Sequence, residues 1–283
     1  MSQIIRKEKE LLVENSKRVY IIYQIIFWVS LIVLGVFSFL PYHYGWMNSV
    51  KTHPREGVAL LKLDDKSLGT GFLITKDYVL TARHVIENNQ NETFTVAFEK
   101  ANFPCEVEAT VEYFQPYSPP TEKQVSKIIN KAGSTQVGKL VALFADYFNT
   151  DFALLRLSKS ITNITPLKCG DSDNFKTGDV IILGYGNDDW SEVEGKITND
   201  SFHGQKKLFK LDASVNKGHS GSPVMSCDKN GEPKEVIGIH VGSFDAVLSE
   251  ATSSSVAGEK VVTKINNAIS NLEEVQRQLS TTD

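Results

Sequence analysis

The chain has 283 residues, of which 34 are acidic and 30 are basic, and its formal net charge is −4. Nucleic-acid-binding surfaces usually carry clustered positive charge, so this acidic balance argues against a nucleic-acid partner. No internal repeat is evident, and the length suits one sizeable globular domain together with a terminal segment.

The first predicted element is an apolar helix at Val19–Leu40, a run of 22 residues without a charged side chain. At 1.5 Å per residue such a helix measures about 33 Å, close to the thickness of the hydrocarbon core of a bilayer. A cleaved signal peptide is the competing interpretation, but the apolar run is longer than a usual signal sequence and no small-x-small cleavage site follows it. The sequence therefore predicts a single-pass membrane anchor.

The orientation of this anchor is predicted from the basic residues that flank it. Five lysines and arginines precede the helix, and Lys51 and Arg55 are the only ones that follow it closely. The positive-inside rule then places residues 1–18 in the cytoplasm as a short tail. We expect residues 41–55 to form a linker and residues 56–283 to form an extracytoplasmic domain.

Beyond the linker, the pattern is that of an all-β domain. Short runs rich in β-branched and aromatic residues alternate with turn signals, which favours many short strands. The residues from Gly258 to Leu279 instead show helical periodicity and predict a helix at the C-terminal end. The expected strands are residues 57–63, 71–75, 78–81, 93–98, 106–113, 137–144, 180–185, 194–198, 207–211, 223–227 and 235–241.

One segment departs from this compact pattern. Residues Gln115–Gly138 contain three prolines and a possible short helix at Thr121–Ala132. Such an insertion is either a lid or exosite with a function of its own, or a surface loop that the fold tolerates.

The three cysteines, Cys105, Cys169 and Cys227, allow at most one disulfide bond. None of them has the spacing of a metal ligand, and we interpret them as small apolar residues. No metal and no cofactor is expected.

Three segments carry side chains suited to nucleophilic catalysis. Ser220 lies in Gly218-His219-Ser220-Gly221-Ser222-Pro223, where the glycines permit a tight turn with backbone N–H groups beside the hydroxyl. A serine hydroxyl is a weak nucleophile, so this interpretation requires a histidine base and a carboxylate that orients it. His84 in Thr81-Ala82-Arg83-His84-Val85 and Asp151 before the apolar run Phe152–Leu157 are the candidates.

These three segments and the motif Gly69-Thr70-Gly71-Phe72 resemble the trypsin-like, chymotrypsin-fold serine peptidases over roughly Glu56 to Ala268. The resemblance implies two six-stranded antiparallel β-barrels with the active site between them, and it implies that residues 152–157 connect the two halves. It also implies a serine endopeptidase, a hydrolase that cleaves a polypeptide substrate. Ser220 would be the nucleophile, His84 the base and Asp151 the orienting acid, and the N–H groups of Gly218 and Ser220 would form the oxyanion hole. His219 departs from the family, which usually has Asp or Asn before the nucleophile.

The run Val236–Ser243 is similar to the corresponding strand of glutamyl endopeptidases and viral 3C-like proteases, whose histidine reads Glu or Gln at P1. This likeness implies that His240 contacts the P1 side chain, unless its ring is satisfied inside the strand. Ser214, six residues before the nucleophile, would lie at the pocket floor and disfavour a basic P1 residue. Val215 stands where glutamyl endopeptidases carry threonine, which leaves selectivity for Glu open. Val241, Gly242 and Ser243 would pair with the substrate backbone.

A second interpretation is a protein with the protease fold that is catalytically silent or is gated by a regulatory partner. Such a protein would act in peptide binding or signalling. The presence of His84, Asp151, Ser220 and Gly218 together favours an active peptidase, because a silent domain has no chemical need for all four.

Overall fold

The computed structural model describes residues 53–114, 117, 121, 123–124, 135–243 and 259–280, all within the unit Thr52–Asp283. The expected membrane helix at Val19–Leu40 and its cytoplasmic tail lie outside these residues, as does most of the expected helix at Thr121–Ala132. Among the residues that are described, no helix is both long enough and apolar enough to span a bilayer.

Six antiparallel strands close the first barrel in the order β1-β2-β3-β6-β5-β4. The strands β1 and β2 are joined by Asp64 and Asp65, which have φ angles of 47° and 63°. Two consecutive residues with positive φ form the hairpin turn that matches the twist of the flanking strands. The six strands are β1 (Val58–Leu63), β2 (Lys66–Leu73), β3 (Tyr78–Thr81), β4 (Phe94–Phe98), β5 (Cys105–Phe114) and β6 (Ala153–Leu157).

The second barrel repeats this arrangement in the order β10-β11-β12-β9-β8-β7. Its first hairpin turns at Asn187 and Asp188, again with positive φ angles of 52° and 69°. The two closed barrels confirm the fold class predicted from the sequence. The strands are β7 (Gly178–Gly186), β8 (Asp189–Asn199), β9 (Leu208–Ala213), β10 (Pro223–Cys227), β11 (Pro233–Ser243) and β12 (Lys260–Lys264).

The helices α1 (Arg83–Ile86), α2 (Thr135–Asn149) and α3 (Ile265–Ser280) accompany the barrels. The strand expected at residues 137–144 is wrong, because these residues belong to α2. Apolar residues recur through residue 148 at the three- and four-residue spacing of a helix. Phe144 and Phe148 are buried, whereas Asp146 between them is exposed.

Two further expectations need correction. Residues 152–157 do not connect the two halves, because Ala153–Leu157 is strand β6 and pairs with both β3 and β5 inside the first barrel. The helix expected from Gly258 begins only at Ile265, and the β-branched residues before it form β12, which pairs with β9 and β11. The helix expected at the C-terminal end is confirmed as α3.

The core fills both barrels and continues between them. Fully buried side chains in the first barrel include Leu61, Phe72 and Phe94, and this apolar cluster extends to Tyr185 and Ile239 of the second barrel. A smaller cluster around Phe209 fills the rest of the second barrel. The loops at the barrel ends are therefore held by a continuous packed core.

Candidate active site

His84 and Asp151 meet because of strand pairing in the first barrel. Thr81 at the end of β3 pairs with Ala153 at the start of β6. In an antiparallel pair, the residue after one strand and the residue before the other lie at the same end. The Nδ1 atom of His84 lies 2.8 Å from Oδ2 of Asp151, and the backbone N–H of His84 donates to Oδ1 at 2.9 Å. The imidazole and the carboxylate are thus fixed by two hydrogen bonds.

Burial and charge both act on the His84 imidazole. Burial lowers its pKa, but the charge and hydrogen bond of Asp151, together with the charge of Glu87, outweigh burial and raise the pKa above its ordinary value. The Arg83 charge opposes this rise. The Asp151 side chain is 0% exposed, whereas that of His84 is 26% exposed. The ring can therefore reach a substrate while its carboxylate partner stays shielded from water.

The turn that carries Ser220 presents two backbone N–H groups. The carbonyl of Lys217 accepts a hydrogen bond from Asn187 N–H at 2.7 Å. The N–H of the same trans peptide, which belongs to Gly218, points the opposite way. Within the described part of the chain, neither the Gly218 N–H nor the Ser220 N–H donates a hydrogen bond. Two free donors in one turn suit a site for a developing oxyanion.

The backbone at Gly218 admits only glycine. Its φ is +99°, and a Cβ placed there would lie 2.2 Å from the carbonyl oxygen of Tyr185. The same holds at Gly221, where φ is +85° and a Cβ would lie 2.0 Å from the Thr70 carbonyl oxygen. The two glycines of the motif are therefore needed on either side of Ser220.

Thr70, on β2 of the first barrel, ties the serine turn to the histidine-bearing barrel. Its N–H donates to the Ser220 carbonyl at 2.9 Å, and its hydroxyl donates to the Gly218 carbonyl at 2.9 Å. The same hydroxyl accepts from Tyr185 N–H at 3.1 Å. The motif Gly69-Thr70-Gly71 was used for the resemblance, but sequence reasoning did not identify Thr70 as a bridge between the two barrels.

The structure shows how His219 braces the turn in place of the usual Asp or Asn. The ring is buried, its Nε2 lies 2.8 Å from Ser191 Oγ on β8, and its Nδ1 lies 3.2 Å from the backbone of Asn216. Burial lowers the pKa of His219, which keeps the ring neutral, and the Asn216 backbone partly opposes this. A neutral imidazole thus links the start of the turn to the neighbouring hairpin.

Ser220 itself lies in this turn and is partly exposed. No hydrogen bond joins Ser220 Oγ to His84 among the described residues, so the structure assembles the His84–Asp151 pair and the serine turn but leaves their link open. In serine and cysteine enzymes without substrate, such a bond is often long and tightens only in the complex.

His240 lies on β11, directly beside the serine turn. Its N–H donates to the Ser222 carbonyl at 2.9 Å, and its carbonyl accepts from Gly221 N–H at 2.8 Å. The residue is 3% exposed, and its Nδ1 has no hydrogen-bond partner. Burial, together with the positive charge of Lys260, lowers the pKa of His240 to about 3. The ring is therefore a neutral polar group with one buried nitrogen available.

Three of the other residues predicted to bind substrate lie on the same edge of β11, and Ser214 lies elsewhere. Val241, Gly242 and Ser243 follow His240 on β11, and Gly242 and Ser243 pair with β12 on one side. The pairing of β10 with β11 ends at Ile239, so this stretch has no strand on its other side within the described residues. Ser214 is exposed in the segment after β9, and no hydrogen bond joins it to His240.

Two closed antiparallel barrels, with a histidine–carboxylate pair at the end of one and a serine turn from the other, define the chymotrypsin-like class of peptidases. The trypsin-like peptidase domain family matches residues 69–239, which is more than half of the chain. The chain belongs to this family and is a serine peptidase.

Among solved structures, the HtrA-type protease AlgW with decapeptide is 18% identical, with a TM-score of 0.52, and the match covers 82% of this chain and 67% of that chain. An inactive form of Rv3671c from M. tuberculosis H37Rv is 20% identical, with a TM-score of 0.49, and covers 79% of this chain and 88% of that chain. The likeness to AlgW concerns the fold alone. No curated protein matches the chain significantly.

Proposed function

We propose that the chain is a membrane-anchored endopeptidase that cleaves through a Ser220–His84–Asp151 triad. Ser220 Oγ attacks the substrate carbonyl carbon while its proton passes to Nε2 of His84. His84 then gives this proton to the leaving amine as the C–N bond breaks, which leaves an ester on Ser220. Water hydrolyses the ester by the same proton path in reverse. Asp151 holds the imidazole tautomer and stabilises the imidazolium.

The observation that carries this proposal is the combination of the buried His84–Asp151 pair with two free N–H groups in the serine turn. The pair alone would fit a structural ion pair, and the turn alone would fit an ordinary loop. Together they supply a base with an oriented tautomer and donors for the negative charge that forms on the carbonyl oxygen.

The substrate class we propose is a polypeptide with Gln or Glu at P1, read by His240. A neutral imidazole with a buried, unpartnered nitrogen gives a hydrogen bond to an amide or carboxyl group and gives nothing specific to an aliphatic side chain. The low pKa of His240 favours Gln over Glu at neutral pH, because a carboxylate would be desolvated beside an uncharged ring. Val241–Ser243 would pair with the substrate backbone as an added strand.

A peptide library with all residues at P1 tests this specificity. We expect Gln to be cleaved fastest, Glu second, and the preference to be lost in His240→Val, with a drop in kcat/KM of about 100-fold for Gln substrates. A wild-type preference for basic or large aromatic P1 residues would contradict the role of His240.

The anchor at Val19–Leu40 is proposed on the length and apolar character of that run, with the catalytic domain on the extracytoplasmic side. Accessibility of the linker at residues 41–55 to added protease in intact cells tests the orientation. Cleavage from the outside supports it, and cleavage only after lysis contradicts it.

A fluorophosphonate probe, which reacts with activated serines, tests the triad. We expect the folded protein to be labelled on Ser220, and we expect Ser220→Ala and the heat-denatured protein to remain unlabelled. Failure of the folded wild-type protein to label would contradict a free-standing active peptidase. Because Ser220 Oγ makes no hydrogen bond to His84, the second candidate is a peptidase gated by a partner, which would label only when that partner is added.

A further inference from the structure

Arg83, the residue before His84, is a charged side chain with no solvent exposure. Its relative exposure is 0%, and it is the largest fully buried side chain among the described residues. Burial of a guanidinium is costly unless hydrogen bonds and neighbouring charge or aromatic faces compensate it. An apolar side chain such as methionine would fill this space without the cost of burying a charge. Packing alone therefore does not explain an arginine at this position.

The guanidinium contacts both segments that carry the His84–Asp151 pair. Its Nε donates to Oε2 of Glu87 at 3.1 Å, and Glu87 directly follows the helix on which Arg83 and His84 lie. Its Nη1 donates to Thr150 Oγ1 at 3.1 Å, and Thr150 immediately precedes Asp151. The arginine therefore joins the residue before the base to the residue before the orienting acid.

Two aromatic rings hold the guanidinium from other directions. Its carbon lies 5.0 Å from the ring centre of Tyr117 and 4.9 Å from that of Tyr147. The two rings also contact each other edge to face, with centres 4.9 Å apart. Contacts of this kind between a cation and aromatic faces are strongest where water is excluded. Tyr147 lies on α2 and Tyr117 lies between β5 and α2, so both belong to the segment between β5 and β6.

The other end of this arrangement is fixed to the second barrel. Thr263 on β12 donates to the Phe148 carbonyl at 2.6 Å, and Asn267 on α3 donates to the Asn149 carbonyl at 2.6 Å. These contacts satisfy carbonyls at the last turn of α2, which have no partner inside the helix. Thr150 in turn donates to the Asp146 carbonyl at 2.6 Å. The last turn of α2 is thus held by β12 and α3. Arg83 joins the segment that carries His84 to the end of this helix through Thr150.

We propose that Arg83 is a positioning residue whose guanidinium locks the segments bearing His84 and Asp151 together. We also propose that Tyr117 and Tyr147 make this lock depend on the position of α2 and of Tyr117 against the guanidinium. The kinetic consequence rests on the proposed function, whereas the alignment of His84 with Asp151 can be measured by itself.

The charges around His84 distinguish positioning from simple packing. The charged and titratable groups that face it are Asp151, Glu87, Arg83 and His240. If Arg83→Met left the geometry intact, loss of a nearby positive charge would raise the pKa of His84. If instead the Arg83 contacts are lost and Asp151 moves away from the imidazole, the Asp151 charge no longer offsets the burial of the ring. The pKa of His84 then falls. A packing role and a positioning role therefore predict pKa changes of opposite sign for His84.

The experiment uses the full chain in detergent with ¹⁵N-labelled histidine. NMR follows the low-field Nδ1–H proton of His84, which reports its hydrogen bond to Asp151, and the pKa of the ring. We expect Arg83→Met and Tyr147→Leu to weaken or abolish this resonance and lower the pKa. We also expect kcat to fall about 100-fold, the size of effect that a 1 Å misplacement produces, with KM changed less than threefold. Arg83→Lys should restore part of both signals.

Arg156→Met is the control, because it makes the same change at an exposed arginine of β6, and it should leave the resonance and kcat unchanged. Tyr147→Phe keeps the ring that faces the guanidinium but removes the hydroxyl, which also hydrogen-bonds Arg83. It should therefore have a smaller effect than Tyr147→Leu on the resonance and on kcat. The proposal is overturned if Arg83→Met and Tyr147→Leu lower only thermal stability while the resonance persists and the pKa rises. If Arg83→Met fails to fold, the two Tyr147 variants decide the question. If the wild-type protein is not labelled by a fluorophosphonate, the proposed function fails, and the NMR result still decides the positioning role.

Discussion

Gly218→Ala applies two separate perturbations to the turn that carries Ser220. A side chain at a φ of +99° is strained, at a cost of about 1–2 kcal/mol in the free energy of unfolding. The new Cβ would also lie 2.2 Å from the carbonyl oxygen of Tyr185. Relief of this collision requires the turn to move by about 1 Å, a displacement that can cost an enzyme about 100-fold in rate.

The kinetic effect follows from the proposed role of the Gly218 N–H as an oxyanion donor. Loss of one donor from an oxyanion hole typically lowers kcat by about 10²–10³, equivalent to about 3–4 kcal/mol of transition-state stabilisation. We expect Gly218→Ala to lower kcat by this factor and to change KM little, because the donor acts on charge that develops only in the transition state.

Gly204→Ala is the matched control. Gly204 also has a positive φ, +86°, but a Cβ there would meet no atom within 4 Å. Gly204→Ala should lower the free energy of unfolding in urea by a similar amount and should leave kcat on a peptide amide substrate unchanged. The reasoning is refuted if Gly218→Ala keeps kcat within threefold of the wild-type value, or if Gly204→Ala loses as much activity.

Two other substitutions test the charge and the bracing of the site. In Asp151→Asn the Asp151 charge, the largest cause that raises the pKa of His84, is lost while burial remains, so the pKa falls. Because the base must be neutral, the acid limb of the kcat/KM profile should move to lower pH while kcat drops roughly 10⁴-fold, and an unmoved limb would contradict the assignment. Ser191→Ala leaves Nε2 of His219 without its partner and should cost about 1–3 kcal/mol in urea unfolding and about tenfold in kcat. Ser158→Ala, at an exposed serine, is its control, and equal effects in both would contradict the brace.

The barrels and the site segments could be predicted because their signals are local. Strands β3 and β10 were predicted at their observed ends, since β-branched runs between turn residues define them. The helix α2 escapes prediction because residues 137–144, considered alone, have the apolar content of a strand. A longer window that included Phe148 would have shown the helical spacing. Strand β12 is not predicted because its apolar residues continue the spacing of the apolar stripe of α3, so the sequence favours one longer helix.

The contacts that shape the site could not be predicted, because they join residues far apart in the chain. Arg83 reaches Thr150 across 67 positions, and Thr70 reaches Gly218 across 148 positions. No local pattern distinguishes a threonine that bridges two barrels from one that only pairs within β2. The His219 ring has the same difficulty, since its partner Ser191 belongs to a different hairpin.

The distribution of these contacts bears on how the site could be regulated. The serine turn is held by Asn187 in the β7–β8 hairpin, by Thr70 on β2 and by Ser191 on β8, which all belong to the barrels themselves. A partner that acted there would have to break several buried hydrogen bonds at once. The His84–Asp151 pair is held differently, through Arg83 and rings that lie on the segment between β5 and β6. A partner that displaced Tyr117 or Tyr147 would disturb the Arg83 contacts that hold the pair. Gating of this peptidase would therefore require fewer broken contacts at Tyr117 than at Ser220.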